Sequence, residues 1–171
     1  MKKWIILVFA ASLLGYVATA EVQWNPAKIN VNVAWSAAGW IIIYIPDNDT
    51  NVDLGEIDGS LYDPVSGTWT PLTSDGHTVY VVTNAVNGFQ LQITAALSTY
   101  PADHPNPNGI LDRLTLSSAT MGISGGLNSS LTYTGSRGLF VARDIEYSFT
   151  PSFDDVPGDY SVTVVYTATA Q

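Results

Sequence analysis

From residue 21 onward the sequence predicts an all-β fold: a single two-sheet immunoglobulin-like β-sandwich that follows a cleaved signal peptide. Apolar and polar residues alternate with a period of two along most of this part of the chain, as in half-buried strands. Turn-forming residues interrupt the alternation at short intervals, and no window has the apolar spacing of a helix. Many short strands at such intervals are typical of two-sheet sandwiches.

The alternating runs define the strands in chain order. Their apolar faces are carried by Ile29-Val31-Val33-Trp35, by Phe89–Ala95, by Ile145–Phe149 and by Tyr160–Ala168. The run Ile41–Ile45 does not alternate, which predicts a strand covered on both faces, and we expect the preceding Trp40 to be buried as well. Asn87-Gly88 lies between two alternating runs and predicts a β-hairpin turn. The proline-containing segment Tyr100–Gly109 is predicted to be a loop.

The first twenty residues have the form of a secretion signal. Lys2 and Lys3 precede an apolar stretch from Trp4 to Gly15, and Ala18-Thr19-Ala20 is a cleavage site of the A-x-A kind. This predicts a mature chain of residues 21–171, forming one domain, that is exported to the cell surface, the medium or a periplasm. The apolar stretch is short for a membrane span and no second one follows, so we expect no span in the mature chain.

Charge and cysteine content restrict the function further. Without Lys2 and Lys3, four basic residues remain against fifteen acidic ones, a formal charge of 4 − 15 = −11. Nucleic-acid binding requires a basic surface, so nucleic acid is excluded as a partner. The sequence contains no cysteine, so disulfide bonds, which commonly stabilise exported domains, play no part here.

Three segments resemble parts of known surface proteins. Val52–Ile57, Val81–Leu91 and Val156–Thr167 are similar to the V-D-F-G-x-V step, the V-x-T-N-A-x-N-G-Y-x-L hairpin and the terminal P-G-x-Y strand of secreted bacterial sandwich domains. Such domains occur in WxL-type cell-surface proteins and in subunits of surface fibres. The resemblance implies a secreted surface sandwich. The Trp-x-Leu signature is absent, its nearest equivalent being Trp69–Leu72, so peptidoglycan binding is not implied.

Oxygen-bearing side chains recur at alternate positions after the Ile41–Ile45 run. They take relative positions 1, 3, 5, 7 and 12 of a calcium-binding loop of the EF-hand kind, as Asp47, Asp49, Asn51, Asp53 and Asp58. The loop departs from that pattern at position 6, where Val52 replaces glycine, and the predicted fold supplies no flanking helices. Two interpretations stay open: a Ca²⁺ site, or a polar turn between strands.

The sequence contains no strong pattern of catalytic residues. No serine occupies a nucleophile elbow between a strand and a helix. His77 and His104 lie far apart in turn-like sequence, and Asp154-Asp155 precedes Pro157-Gly158. We therefore expect solvated turn residues at these positions, and a protein that is not an enzyme.

The tryptophans offer a binding hypothesis. Trp24 and Trp69 lie in polar surroundings, and exposed aromatic faces on a sandwich stack on sugar rings. These two residues are therefore candidates for a carbohydrate-binding surface, which would make a glycan the partner.

The function that fits these features best is a structural protein of the cell surface, a self-associating fibre or surface-layer subunit. Its partners would be further copies of the chain or other surface proteins. An unpaired sheet edge accepts a strand from another chain, and the segment Glu21–Val33, with Ile29, Val31 and Val33 on one face, is the predicted donor. The other interpretation of this segment, which the same alternation supports, is that it forms the first strand of its own sandwich. A carbohydrate-binding or adhesive module is the alternative function.

Overall fold

The structure, a computed structural model, describes residues 36–171. The chain divides into two units, Met1–Ala38 and Gly39–Gln171, and every strand in the described range belongs to the second unit. The signal peptide, the domain boundary at residue 21, the predicted donor segment and Trp24 lie outside the described residues and stay predictions.

Within the described range the elements are almost all strands. In chain order they are β1 (Ile41–Tyr44), β2 (Tyr62–Asp63), β3 (Thr68–Trp69), β4 (Leu72–Thr73), β5 (His77–Thr83), β6 (Phe89–Thr99), β7 (Leu114–Ser118), β8 (Ile123–Gly126), β9 (Leu131–Gly135), β10 (Gly138–Phe149) and β11 (Ser161–Ala170). A short helix, α1 (Asn108–Arg113), precedes β7, and 3-10 turns lie at Asp47–Asp49 and Gly59–Leu61. With six residues, α1 is too short to leave helical periodicity in the sequence.

The strands form two main antiparallel sheets and one small one. The larger sheet has the order β1-β5-β10-β7-β8, with β4 paired to β10, and the smaller main sheet has the order β11-β6-β9. The strands β2 and β3 form a separate two-stranded ribbon. The prediction of an all-β sandwich is confirmed.

Alternate residues of the two main sheets form the core. Phe89, Leu91 and Ile93 of β6 are fully buried, and they share one cluster with Val79 and Val81 of β5. Phe89 packs so closely on Gly135 of β9 that its ring occupies the space of a β-carbon there. The inward faces predicted from alternation in β6 and at the end of β10 are the buried ones.

Two predictions about the first half of the domain are wrong. The run Ile41–Ile45 is not covered on both faces, since Ile42 is 57% and Tyr44 55% exposed. Trp40 is 45% exposed rather than buried. The physical reason is topological: β1 lies at the edge of the larger sheet, and no element among residues 36–171 forms a layer over its outer face.

The Asn87-Gly88 turn forms, but it does not close a hairpin. Gly88 has a φ of 82°, in the region that glycine adopts without strain. The strands on either side belong to different sheets, because β5 pairs with β1 and β10 whereas β6 pairs with β11 and β9. The turn residues fix the local reversal of the chain, whereas the choice of pairing partner is made by the whole sandwich.

Candidate functional site

The C-terminal strand β11 has an inner face that is only partly covered. It pairs with β6 along its whole length and forms the edge of its sheet among the described residues. Its inward residues, in alternation, are each half-buried, although they pack against the core: Val162, Val164, Tyr166 and Ala168. The residues between them are exposed. We call the unpaired side of β11, with these four residues, the open edge.

The edge of the other main sheet lies next to the open edge. β1 contacts β11, but no ladder of hydrogen bonds joins these two strands among residues 36–171. Ile41 and Ile43 of β1 are half-buried and pack on the core from that side. The sandwich is therefore left unclosed between β1 and β11, where the side chains on both sides are apolar.

A pair of tyrosines ties the open edge to the sheet opposite. The hydroxyl groups of Tyr166 in β11 and Tyr147 in β10 lie 2.7 Å apart, in hydrogen-bonding contact. Burial raises the pKa of Tyr166, and the neighbouring Tyr147 adds to the rise. Burial also raises the pKa of Tyr147, an effect that its bond to Tyr166 partly offsets. Both phenols therefore stay neutral near pH 7 and hold β11 at a fixed distance from β10.

A buried ion pair anchors the connection that leads from β10 into β11. Arg113 donates two hydrogen bonds of 2.6 Å to the carboxylate of Asp155, and the side chain of Asp155 is 2% exposed. The same carboxylate accepts the Ser152 N–H at 2.7 Å and faces Nε2 of His104 at 3.3 Å. Burial opposes ionisation, but these hydrogen bonds outweigh it, so the pKa of Asp155 lies below its ordinary value.

This cluster corrects the prediction of solvated turn residues. His104 is 6% exposed, and its Nδ1 accepts the backbone N–H of Asn106 at 3.1 Å while its Nε2 faces Asp155. Both ring nitrogens are thus used in structural contacts, and neither is directed at a serine hydroxyl. His77 is also largely enclosed, with its side chain 15% exposed. Sequence spacing gave no indication of the Arg113–Asp155–His104 cluster, because it joins two separate connections, the one between β6 and β7 and the one between β10 and β11.

The carboxylates of the acidic loop form separate hydrogen bonds with different backbone groups. Asp49 accepts the Thr78 N–H at 2.7 Å, and Asp53 accepts the Gly55 N–H at 2.9 Å. Asp58 accepts the Ser60 N–H at the start of a 3-10 turn, and its pKa is lowered chiefly by the hydroxyl of Ser60. Across residues 36–171, no group of three histidine, aspartate or glutamate side chains is arranged to hold a metal ion. The Ca²⁺ site built from Asp47, Asp49, Asn51, Asp53 and Asp58 stays a prediction.

Trp69 belongs to a cluster of three aromatic rings that we call the aromatic trio. It pairs across the β2–β3 ribbon with Tyr62, with ring centroids 5.2 Å apart. Phe153, from the connection between β10 and β11, packs edge-on against both rings at 4.9 and 5.3 Å. Phe153 is nevertheless 76% exposed. Only Trp69 of the three was expected from the sequence, since nothing local brings residue 153 to the ribbon.

Comparisons with known proteins add little to this picture. A solved structure titled as the P pilus rod subunit PapA is similar to this chain, with a TM-score of 0.42 and 14% identity over 75% of this chain and 99% of that one. A similarity at this level carries no argument about function. No protein-family profile and no curated protein matches the sequence. No helix within residues 36–171 has the length and apolar character needed to cross a bilayer.

Proposed function

We propose that this chain is an exported, non-enzymatic structural subunit of the cell surface that self-associates by strand addition at the open edge. The observation that carries the proposal is the contrast within one sheet. Leu91 and Ile93 of β6 are fully buried, whereas Ala168 and Tyr166, their partners in β11, are only half-buried. An added strand would supply both the missing hydrogen bonds along β11 and the missing cover over its side chains.

The predicted donor has the pattern that such an edge requires. Ile29, Val31 and Val33 lie on one face of an alternating segment, as do the half-buried residues of β11. Fully burying an aliphatic side chain of this size contributes about 1.5–3 kcal/mol, so the three together offset part of the cost of ordering the segment. Main-chain bonds would provide affinity, and the alternate apolar contacts would set the register.

The buried polar groups support a structural role over a catalytic one. The ion pair of Arg113 and Asp155 joins α1 to the connection that precedes β11. His104 contacts the same Asp155 carboxylate through Nε2 and accepts a backbone N–H at Nδ1, so neither ring nitrogen is free for proton transfer. These groups stabilise the strand that forms the open edge.

A second candidate function rests on the aromatic trio. The exposed ring of Phe153 beside Trp69 and Tyr62 offers a surface on which a pyranose ring can stack. Titration with oligosaccharides, followed by tryptophan fluorescence, would show saturable binding that Phe153→Ala removes. Val65→Ala, at an exposed apolar position in the turn between β2 and β3, is the matched control.

The test of strand addition changes the donor segment on one face at a time. Ile29→Asp with Val31→Asp places two charges on the apolar face, and Asn30→Asp with Asn32→Asp places two on the opposite face. Strand addition predicts that the full exported chain and the Asn30→Asp, Asn32→Asp variant polymerise. The Ile29→Asp, Val31→Asp variant should stay monomeric by light scattering and folded by circular dichroism.

Two other outcomes would overturn the proposal. If the unsubstituted exported chain is a monomer at high concentration, self-association is wrong. If Ile29→Asp with Val31→Asp unfolds the protein, the segment is the first strand of its own sandwich and not a donor.

A further inference from the structure

The outer face of the larger sheet carries an exposed apolar surface. Two cross-strand rows run over β1, β5 and β10, and together we call them the apolar face: Ile42, Val82 and Leu139 in one row, and Tyr44, Tyr80 and Val141 in the next. Leu139 is 68% exposed and Ile42 57%. Exposed apolar residues in contiguous rows mark an interaction surface, whereas single ones are ordinary.

Two arginines flank the apolar face on its β10 side, whereas the carboxylate of Asp49 lies at the start of β5, where it accepts the Thr78 N–H. Arg137 lies directly before β10, and Arg143 lies within β10 two residues beyond Val141, so the two arginines flank Leu139 and Val141 along the chain. Both arginines are exposed, and neither guanidinium group forms a hydrogen bond or ion pair with another described residue. No aspartate or glutamate lies in β1, in β5 or in residues 138–143. This distribution is unusual in a mature chain with a formal charge of −11.

The aromatic trio has the opposite charge at its border. Asp63 directly follows Tyr62, and Asp154 directly follows Phe153, and both carboxylates are exposed. The hydroxyl of Ser66 donates to Asp63 and lowers its pKa, which keeps this border anionic. The molecule thus has one apolar surface bordered by arginine and one aromatic surface bordered by aspartate.

The two surfaces lie near opposite ends of β10. Val141 of the apolar face and Phe149 at the end of the strand are eight residues apart, which corresponds to roughly 25 Å of strand. Phe153 lies beyond that end. One copy of the chain therefore cannot bring the two surfaces together, whereas two copies arranged head to tail can.

We propose that the apolar face of one copy docks on the aromatic trio of a second copy, with Arg137 and Arg143 against Asp63 and Asp154. This contact is heterologous and therefore open-ended, which suits a polymer rather than a closed dimer. A face of six residues is small compared with the roughly 20–30 residues per side of a standard interface. The inference therefore rests on the proposed function in one respect: strand addition supplies the high local concentration that a weak second contact requires.

Single cysteines test this contact directly, because the natural sequence contains none. Full exported chains with Leu139→Cys or Phe153→Cys, carrying different tags, are mixed in equal amounts and mildly oxidised. The proposal predicts that the mixed disulfide exceeds each like-with-like disulfide by about fivefold or more. Thr94→Cys, exposed on the outer face of β6, is the control and should cross-link with neither.

Charge exchange provides the second readout. Arg137→Glu with Arg143→Glu in the Leu139→Cys chain should abolish the mixed disulfide, and placing Asp63→Arg with Asp154→Arg in the Phe153→Cys chain should restore it. A dominant Leu139→Cys homodimer, random pairing or no cross-link overturns the proposal.

The size of the unoxidised sample separates this inference from the proposed function. Polymers without the mixed disulfide contradict the docking alone. A monomeric sample contradicts strand addition. In that case cross-linking is measured on the concentrated monomer, and the absence of the mixed disulfide there also contradicts the docking.

Discussion

Strands β6 and β11 are paired over ten residues and have the same alternation, yet they differ in burial. Leu91 and Ile93 of β6 are fully buried, whereas Ala168 and Tyr166, which pair with them in β11, are half-buried. The difference arises from position, because β6 pairs with both β9 and β11 at Phe89–Ile93, whereas β11 pairs only with β6 among residues 36–171. Alternation determines which face of a strand turns inward, while the sheet order determines how completely that face is covered.

The largest expected difference is in the cost of truncating the two inner faces. In the Ile29→Asp, Val31→Asp background, Leu91→Ala should lower the free energy of unfolding by about 3 kcal/mol, through lost burial and a residual cavity. Val164→Ala should cost less than about 1 kcal/mol, since its side chain is already half in water. Urea unfolding measures both, with Thr94→Ala as an exposed control. Equal costs would show that β11 is covered as fully as β6.

A somewhat smaller effect is expected where β11 is anchored. Asp155→Asn should cost about 2–3 kcal/mol at pH 7, because it leaves Arg113 without its carboxylate partner. The folded-state pKa of Asp155 is lowered. Its contribution to the free energy of unfolding is therefore complete above the unfolded-state pKa of about 3.9 and is lost as the pH falls through the folded-state pKa. Urea unfolding between pH 7 and pH 2 should show a shallower acid dependence for the variant. Identical pH profiles would contradict this role.

The smallest effect is expected at the hydroxyl contact between Tyr147 and Tyr166, which links the two main sheets. Tyr166→Phe should cost about 1 kcal/mol by removing the hydroxyl contact with Tyr147. In a double-mutant cycle, adding Tyr147→Phe should cost little more, because the two hydroxyls contribute through one bond. Fully additive losses would mean that each hydroxyl has another partner.

These contrasts also show how far the sequence could predict the structure. Alternation correctly predicted a sandwich and the inward faces of β6, β10 and β11. It failed at Ile41–Ile45 and at Asn87-Gly88, where the missing information was which strands become neighbours. Likewise, Phe153 joins Trp69, and Asp155 joins Arg113 and His104, through contacts between distant segments. A single sequence records no such long-range pairs. The open edge itself is a property of sheet order, so only the alternation of its residues was visible beforehand.

Hydrogen exchange tests the central claim most directly by comparing the same two strands in two states. The full exported chain is measured beside the Ile29→Asp, Val31→Asp variant, by mass spectrometry of peptides covering 89–93 and 161–170. The account predicts that β6 is strongly protected in both samples, and that β11 gains protection only in the unsubstituted, self-associated chain. If β11 is equally protected in both samples, no strand from another copy is added at its edge, and the account is contradicted.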